Sequence, residues 1–331
     1  KWILSDFIGV GGWNNEDVAL VKADGSGQVT NLTESGYTDS NPKWVLDGKA
    51  MIWSSDRAGY RSHGSWGAES DTYIMFFDAE AYDKFRLNKE ELALEEDMNK
   101  DSDDKKDGDS DKKDDGDKKK DSKKSKDKKS KKDDKELTFD LENRRDRIMR
   151  LTINSSNMGD AVLTPKGDKL YYCAAFEGGY DLWERNFREN TTKLIIKGIG
   201  GGNMIQDKKG ENIYLCSGGQ MKKIQTNGNK VDNISFRADF DLRPAKERDY
   251  IFNHVWRQVK DKFYDPNLHG VDWEGYKKIY SRYLPYINNN YDFQEMLSEM
   301  LGELNGSHTG ARYGGTGAAQ QTACLGAFYD N

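Results

Sequence analysis

One order of turns and strands returns along the first 225 residues, and it constrains the fold more than anything else in the chain. Ser40-Asn41-Pro42-Lys43-Trp44 leads to the turn Asp47-Gly48-Lys49, a strand over 50–54, the turn Asp56-Arg57-Ala58-Gly59 and a strand over 71–77. The same order returns at 160–165, Lys166-Gly167-Asp168-Lys169, a strand over 170–174, the turn Glu177-Gly178-Gly179 and a strand over 180–186. An eroded copy runs from Met204 through Lys209-Gly210-Glu211, 212–216, Gly218-Gly219 and 220–225. An incomplete one precedes them, with 17–23 alternating towards Asp24-Gly25 and 28–32 following. A period of about 40 residues built from four short strands reads as β-propeller blades, each unable to bury its apolar faces alone. Two full copies, one incomplete and one eroded are too few to close a ring of typically about 4 to 8 blades. The earlier blades are therefore expected to be missing from the chain.

Composition enters because it first argues against such a fold. The 331 residues are 35% hydrophobic and 33% charged, with a mean hydropathy of -0.95. One tract is responsible: 97–136 holds 16 Lys, 14 Asp and 1 Glu, with Met98 its only apolar side chain. With nothing apolar to bury, such a tract cannot offset the entropy of ordering, and a disordered insertion in a blade loop is expected. The rest carries 35 Lys+Arg against 42 Asp+Glu, an ordinary globular balance for two or three domains. Calcium does not fit the tract. Gly108 or Gly116 at the sixth loop position would put Lys105 or Lys113 third and Asp114 or Ser122 twelfth, where a loop of this kind wants Asp or Asn and a bidentate Glu.

Several classes drop out. No apolar run reaches the 18 or so residues of a membrane span, and 1–10 lacks the order of a signal peptide, although a chain beginning at Lys1 can have lost a preceding segment. A net charge of -6 with interspersed signs does not suit nucleic acid. Cys173, Cys216 and Cys324 form no CxxC pair and are expected to be small buried residues, neither disulfide framework nor zinc site. The four histidines show no metal spacing, and the glycines of 198–203 lack the Lys of a phosphate loop and read as an interblade link. No cofactor is expected.

From Arg243 the apolar period changes from two to 3.6. Ile251, Phe252, Val255, Trp256, Val259 and Phe263 form one helical face that stops at Asp265-Pro266. Trp273, Tyr276, Ile279, Tyr280 and Tyr283 form a second with Asp272 as N-cap, and Asp292 opens a third as a capping box with Glu295. Phe293, Met296, Leu297, Met300, Leu301 and Leu304 form the buried stripe of that third helix, which Asn305-Gly306 ends. Gly306-Ser307-His308-Thr309-Gly310 then places a histidine in a glycine-flanked turn where the backbone can present its ring to a cleft. His254 reads as a boundary residue of the first helix, His269 and His63 as loop residues, and Arg312 as a surface charge that could meet a peptide carboxylate.

The string NPKWVLDGKAMIWSSDRAG resembles the TolB-type propeller repeat, with Val45-Leu46 in place of its Ser-Pro. A propeller followed by FYDPNLHGVDWEGYKKIY and MLGELNGSHTGARY resembles the tricorn peptidases, relatives of the C-terminal processing peptidases. The resemblance implies β plus α architecture in three parts: 1–240 as the C-terminal blades of a propeller, 241–313 as a helical subdomain, and 314–331 as a linker and the first strand of a PDZ-like domain, from the resemblance of 323–329. It also implies that His308 is the general base of a serine peptidase and that Ser307 joins its charge network through a glutamate. Imidazole, with a reference pKa near about 6.5, suits that exchange of protons. The nucleophilic serine, that glutamate and the oxyanion donors are expected beyond Asn331, so the chain alone is expected to be inactive. The implied substrate is peptide or unfolded protein, gated by the propeller, with no nucleic acid, no membrane span and room for a homo-oligomer. The implied compartment is cytoplasmic, with periplasmic the alternative. A non-catalytic TolB-type binding or scaffold protein is the competing expectation, against which GSHTG and its helices speak.

Overall fold

The computed structural model describes residues 1–9, 15–61, 66–104 and 137–314. The chain divides into two compact units, Lys1–Phe236 and Arg237–Asn331.

The first unit is a series of antiparallel sheets. β1 (Trp2–Phe7), β2 (Asp17–Lys22) and β3 (Val29–Asn31) form a three-stranded sheet. β4 (Asp39–Val45), β5 (Ala50–Ser55), β6 (Asp71–Phe76) and β7 (Ile148–Arg150) pair in chain order, as do β8 (Asn157–Leu163), β9 (Lys169–Ala175), β10 (Tyr180–Asn186) and β11 (Thr191–Ile199). The last sheet is β12 (Asn203–Gln206), β13 (Asn212–Ser217), β14 (Gln220–Gln225) and β15 (Val231–Ile234). Four-stranded sheets in series are the expected blades. The glycine-rich 198–203 bridges β11 and β12, as an interblade link does.

Alternation explains why sheets of this kind pack in series. Successive side chains of β5 point to opposite faces. Met51 and Trp53 pack with Val18, Leu20 and Leu32 of the first sheet, while Ala50 and Ile52 pack with Leu163, Leu170 and Tyr172 of the third. β9 repeats this, sending Tyr171 and Cys173 towards Ile213, Leu215 and Ile224 of the fourth. Burial on both faces makes the middle strands read as near-continuous apolar runs. Cys173 is fully buried, and burial pushes its thiol up to about 12. Cys216 departs from the expected burial: Ile213 and Leu215 take the inward positions of β13, so Cys216 falls on the exposed side. Cys324 lies outside the described residues.

The turns have one shared requirement. Gly48, Gly167 and Gly210 occupy the same place between the first two strands of their sheets, with φ of +86°, +68° and +71°. Only glycine takes that backbone without strain.

Between β6 and β7 the chain builds α1 (Ala79–Arg86) and α2 (Lys89–Asp104), which period-two reading did not foresee. Asp78 caps α1 by accepting from the Ala81 N–H at 2.7 Å, and the Phe85 ring lies 5.2 Å from those of Phe76 and Phe187. Arg188 donates to the Phe85 carbonyl at 3.0 Å, satisfying the exposed end of the helix. α2 carries the chain into the first residues of the tract expected to be disordered, 97–104; the remainder, 105–136, lies outside the described residues. β6 and β7 still pair directly, Tyr73 opposite Arg150 and Met75 opposite Ile148.

The second unit contains α3 (Pro244–Lys262), α4 (Trp273–Ser281) and α5 (Asn290–Gly302). Its core joins Phe252, Trp273, Tyr280, Met296, Leu297 and Met300. Trp256 and Trp273 each donate the indole N–H to the other's backbone carbonyl at 3.0 Å, fixing α3 against the start of α4. Asp272 caps α4 through the Gly275 N–H, as expected. Ile279 and Tyr283 are 46% and 53% exposed, because the buried side of this short helix is taken by Trp273 and Tyr280. The third cap also differs. Asn289, not Asp292, accepts from the N–H groups of Tyr291 and Asp292, and Asp292 sits in the first turn. The segment 315–331, where the PDZ-like strand was expected, lies outside the described residues.

Candidate active-site turn

α5 delivers the chain to the turn that carries His308. Its stripe Phe293, Met296, Leu297, Met300, Leu301 and Leu304 is buried throughout, so the last turn of the helix cannot slide without breaking the core. Glu303 then anchors the exit. Its carboxylate accepts from the Tyr280 hydroxyl at 2.8 Å, and Tyr280 is raised well above the tyrosine range by burial and then by this acceptor. Tyr276 is raised as well, its hydroxyl held by the same carboxylate.

One residue further on, the Leu304 carbonyl accepts from His269 Nδ1 at 2.8 Å. A carbonyl cannot donate, so Nδ1 carries a hydrogen, and Nε2 on the other side of the ring pairs with the Tyr264 hydroxyl. His269 is fixed in turn by its own backbone N–H, which Asp265 accepts at 2.9 Å. The N–H groups of Asn267 and His269 hold the Asp265 carboxyl below its usual range. The ring also meets Phe263 edge-on at 5.2 Å.

Beyond the turn the chain is held again. Ala311 donates its N–H to Ser298 Oγ at 3.0 Å, and its carbonyl accepts from Ser298 Oγ and Gln294 Nε2, each at 3.0 Å. Within the turn, Thr309 Oγ1 donates to the Gly306 carbonyl at 2.9 Å. A methyl group at Gly306 would press on Thr309 at 3.3 Å and reach ordinary contact with Phe263 at 3.5 Å.

Ser307 and His308 stand at the apex of this braced turn, both exposed. His308 has φ +61°, in the left-handed region a non-glycine residue enters only when its surroundings compel it. Neither side chain makes a hydrogen bond among the described residues, so the imidazole is presented and not consumed. Arg312 is exposed four residues on. His254 is exposed on α3 with its ring stacked on Tyr250 at 5.9 Å, and His63 lies outside the described residues. The fixing residues His269, Ser298, Gln294 and Glu303 were not legible as a site. They lie between 5 and 39 residues from His308 and carry no motif of their own.

Comparison with known proteins places the helical unit. Residues 244–302 match the family model of the tricorn protease C1 domain. Tricorn protease homolog 1 of Streptomyces coelicolor is 26% identical over 128 residues, which are 36% of this chain and 12% of that protein. A second tricorn protease homolog of the same organism is 31% identical over 104 residues, 30% of this chain and 9% of that one. The crystal structure of the tricorn protease superposes with a TM-score of 0.58 at 10% identity, covering 93% of this chain and 28% of that one. The chain therefore spans less than a third of the length of each.

Proposed function

From a chain that carries a tricorn protease C1 domain on a tricorn-like fold, we propose a part of a serine-type peptidase that hydrolyses peptides or unfolded protein through an acyl-enzyme. His308 is the general base in this scheme. It takes the proton of a serine nucleophile supplied from outside the described residues and returns it to the leaving amine. Ser307 orients it. The blade-like sheets of the first unit gate the substrate. The single observation that carries this reading is the His308 turn. It follows the last C1 helix directly, is braced on both sides, and holds an imidazole with both nitrogens uncommitted. Acyl transfer also needs the nucleophile and oxyanion donors together with the base, so the described residues by themselves are expected not to cleave.

The test is cleavage of an unstructured peptide by the full-length polypeptide. His308→Ala is expected to lower kcat by a factor of about 10² or more, the range in which general bases contribute. Cleavage at the wild-type rate would sink the assignment.

A further inference from the structure

The His308 turn has a keeper, and it is a second histidine. We infer that His269 is a positioning residue, whose ring fixes the chain entering the catalytic turn and so sets where His308 points. The inference rests on the proposed role of His308.

Three observations converge. First, the Nδ1–H of His269 holds the Leu304 carbonyl at 2.8 Å, four residues before His308 and at the last buried position of the α5 stripe. This carbonyl lies past the end of α5, where no further helical N–H follows to satisfy it. Second, His269 is exposed and yet held at its backbone and at both ring nitrogens. Leu268 and His269 both have positive φ, +51° and +55°, the Asp265 carboxylate accepts the His269 N–H at 2.9 Å, and the Tyr264 hydroxyl pairs with Nε2. Third, Phe263 lies beside both parts. Its ring meets the His269 ring at 5.2 Å, and it is a near neighbour of Gly306, where a methyl group would come within 3.5 Å. The segment between α3 and α4 therefore supports the His308 turn through one hydrogen bond and one ring. A base displaced by about 1 Å can lose about 10²-fold in rate.

Substitutions have to respect the backbone. His269→Gly removes the ring and suits the positive φ, whereas His269→Asn tolerates that φ and keeps a side-chain N–H near the position of Nδ1. On this chain alone, with no activity needed, His269→Gly is expected to speed amide exchange at 305–310 by about tenfold or more while leaving α5 protected, and His269→Asn to restore most of the protection. Nitrogen-15 spectra at alkaline pH should place the hydrogen of the His269 ring on Nδ1. In the full-length polypeptide His269→Gly should lower kcat about 10²-fold with KM little changed, and His269→Asn should recover it. Unchanged exchange at 305–310, or a hydrogen on Nε2, would overturn the inference. So would a loss of kcat that His269→Asn fails to rescue. Full cleavage by His308→Ala would instead overturn the base assignment and leave the exchange result standing, so the two fail separately.

Discussion

Asp71 starts β6 with its carboxylate fully buried, and every feature around it serves to satisfy that charge. Thr152 Oγ1 donates at 2.6 Å, Ser155 Oγ at 2.7 Å and Arg150 at 2.8 Å, while Thr152 Oγ1 itself accepts the buried Thr72 N–H at 3.2 Å. The first sheet repeats the device: Thr33 Oγ1 donates to Asp17 at 2.9 Å and accepts the Val18 N–H at 3.0 Å. One threonine thus closes each sheet by serving a carboxylate and an amide together. Thr152→Val keeps the shape and removes both bonds, so it should cost about 1–3 kcal/mol in urea unfolding. Thr152→Ser, which keeps the hydroxyl, should cost less. A Val variant within about 0.5 kcal/mol of the parent would show that the bonds do not stabilise the sheet. None of this was legible. A threonine after a strand looks ordinary, and its aspartate lies 16 residues away in one sheet and 81 in the other. The turn glycines were legible because their constraint is local.

Elements whose signal is periodic were read well and elements whose limits depend on tertiary contacts were not. The stripe of α5 and the alternation of β5 and β9 stand where the sequence puts them. The start of α5 does not, because Asn288-Asn289-Asn290 followed by Asp292 offers several competent caps in a row. Tertiary structure decides: Arg248 donates to Asn290 at 3.2 Å, which fixes Asn290 inside the first turn and leaves Asn289 as the cap. Asn289→Ala should therefore cost about 1 kcal/mol of the stability of the helical unit, and Asp292→Ala about half of that through its place near the helix dipole. Denaturant midpoints of the two variants compare them directly, and a larger loss for Asp292→Ala would restore the capping box. α1 and α2 went unread for a related reason. α1 is held by the Phe85 ring and the Arg188 guanidinium, both tertiary partners, and α2 runs into a tract whose composition argues for no structure at all.

Across the first unit, single carboxylates tie sheets to one another. Asp160 sits in a bulge of β8 and joins three of them, accepting from Lys43 of β4 and from the Met204 N–H of β12 at 2.7 Å. Glu184 of β10, only 2% exposed, ties the third sheet to the fourth. It accepts from Lys169 at 3.0 Å, from the Tyr171 hydroxyl at 2.8 Å and from Asn229, in the turn before β15, at 2.9 Å. Burial by itself would raise this carboxyl, but the Asn229 amide, the Tyr171 hydroxyl and the Lys169 ammonium more than reverse it, and the net shift is downward. Burial and then the Glu184 contact push Tyr171 far above the tyrosine range, so it stays a donor. A carboxyl lower in the folded than in the unfolded state stabilises the fold fully above its unfolded value, about 4.3, and loses that contribution as acid protonates the folded group. Urea midpoints of the first unit should therefore fall as pH drops below about 4. Glu184→Gln should lose about 1–3 kcal/mol at neutral pH and show a shallower acid slope, because the glutamine has no proton to take up. Parallel slopes for the two proteins would mean that the acid sensitivity lies elsewhere and that this contact between the third and fourth sheets holds without the charge.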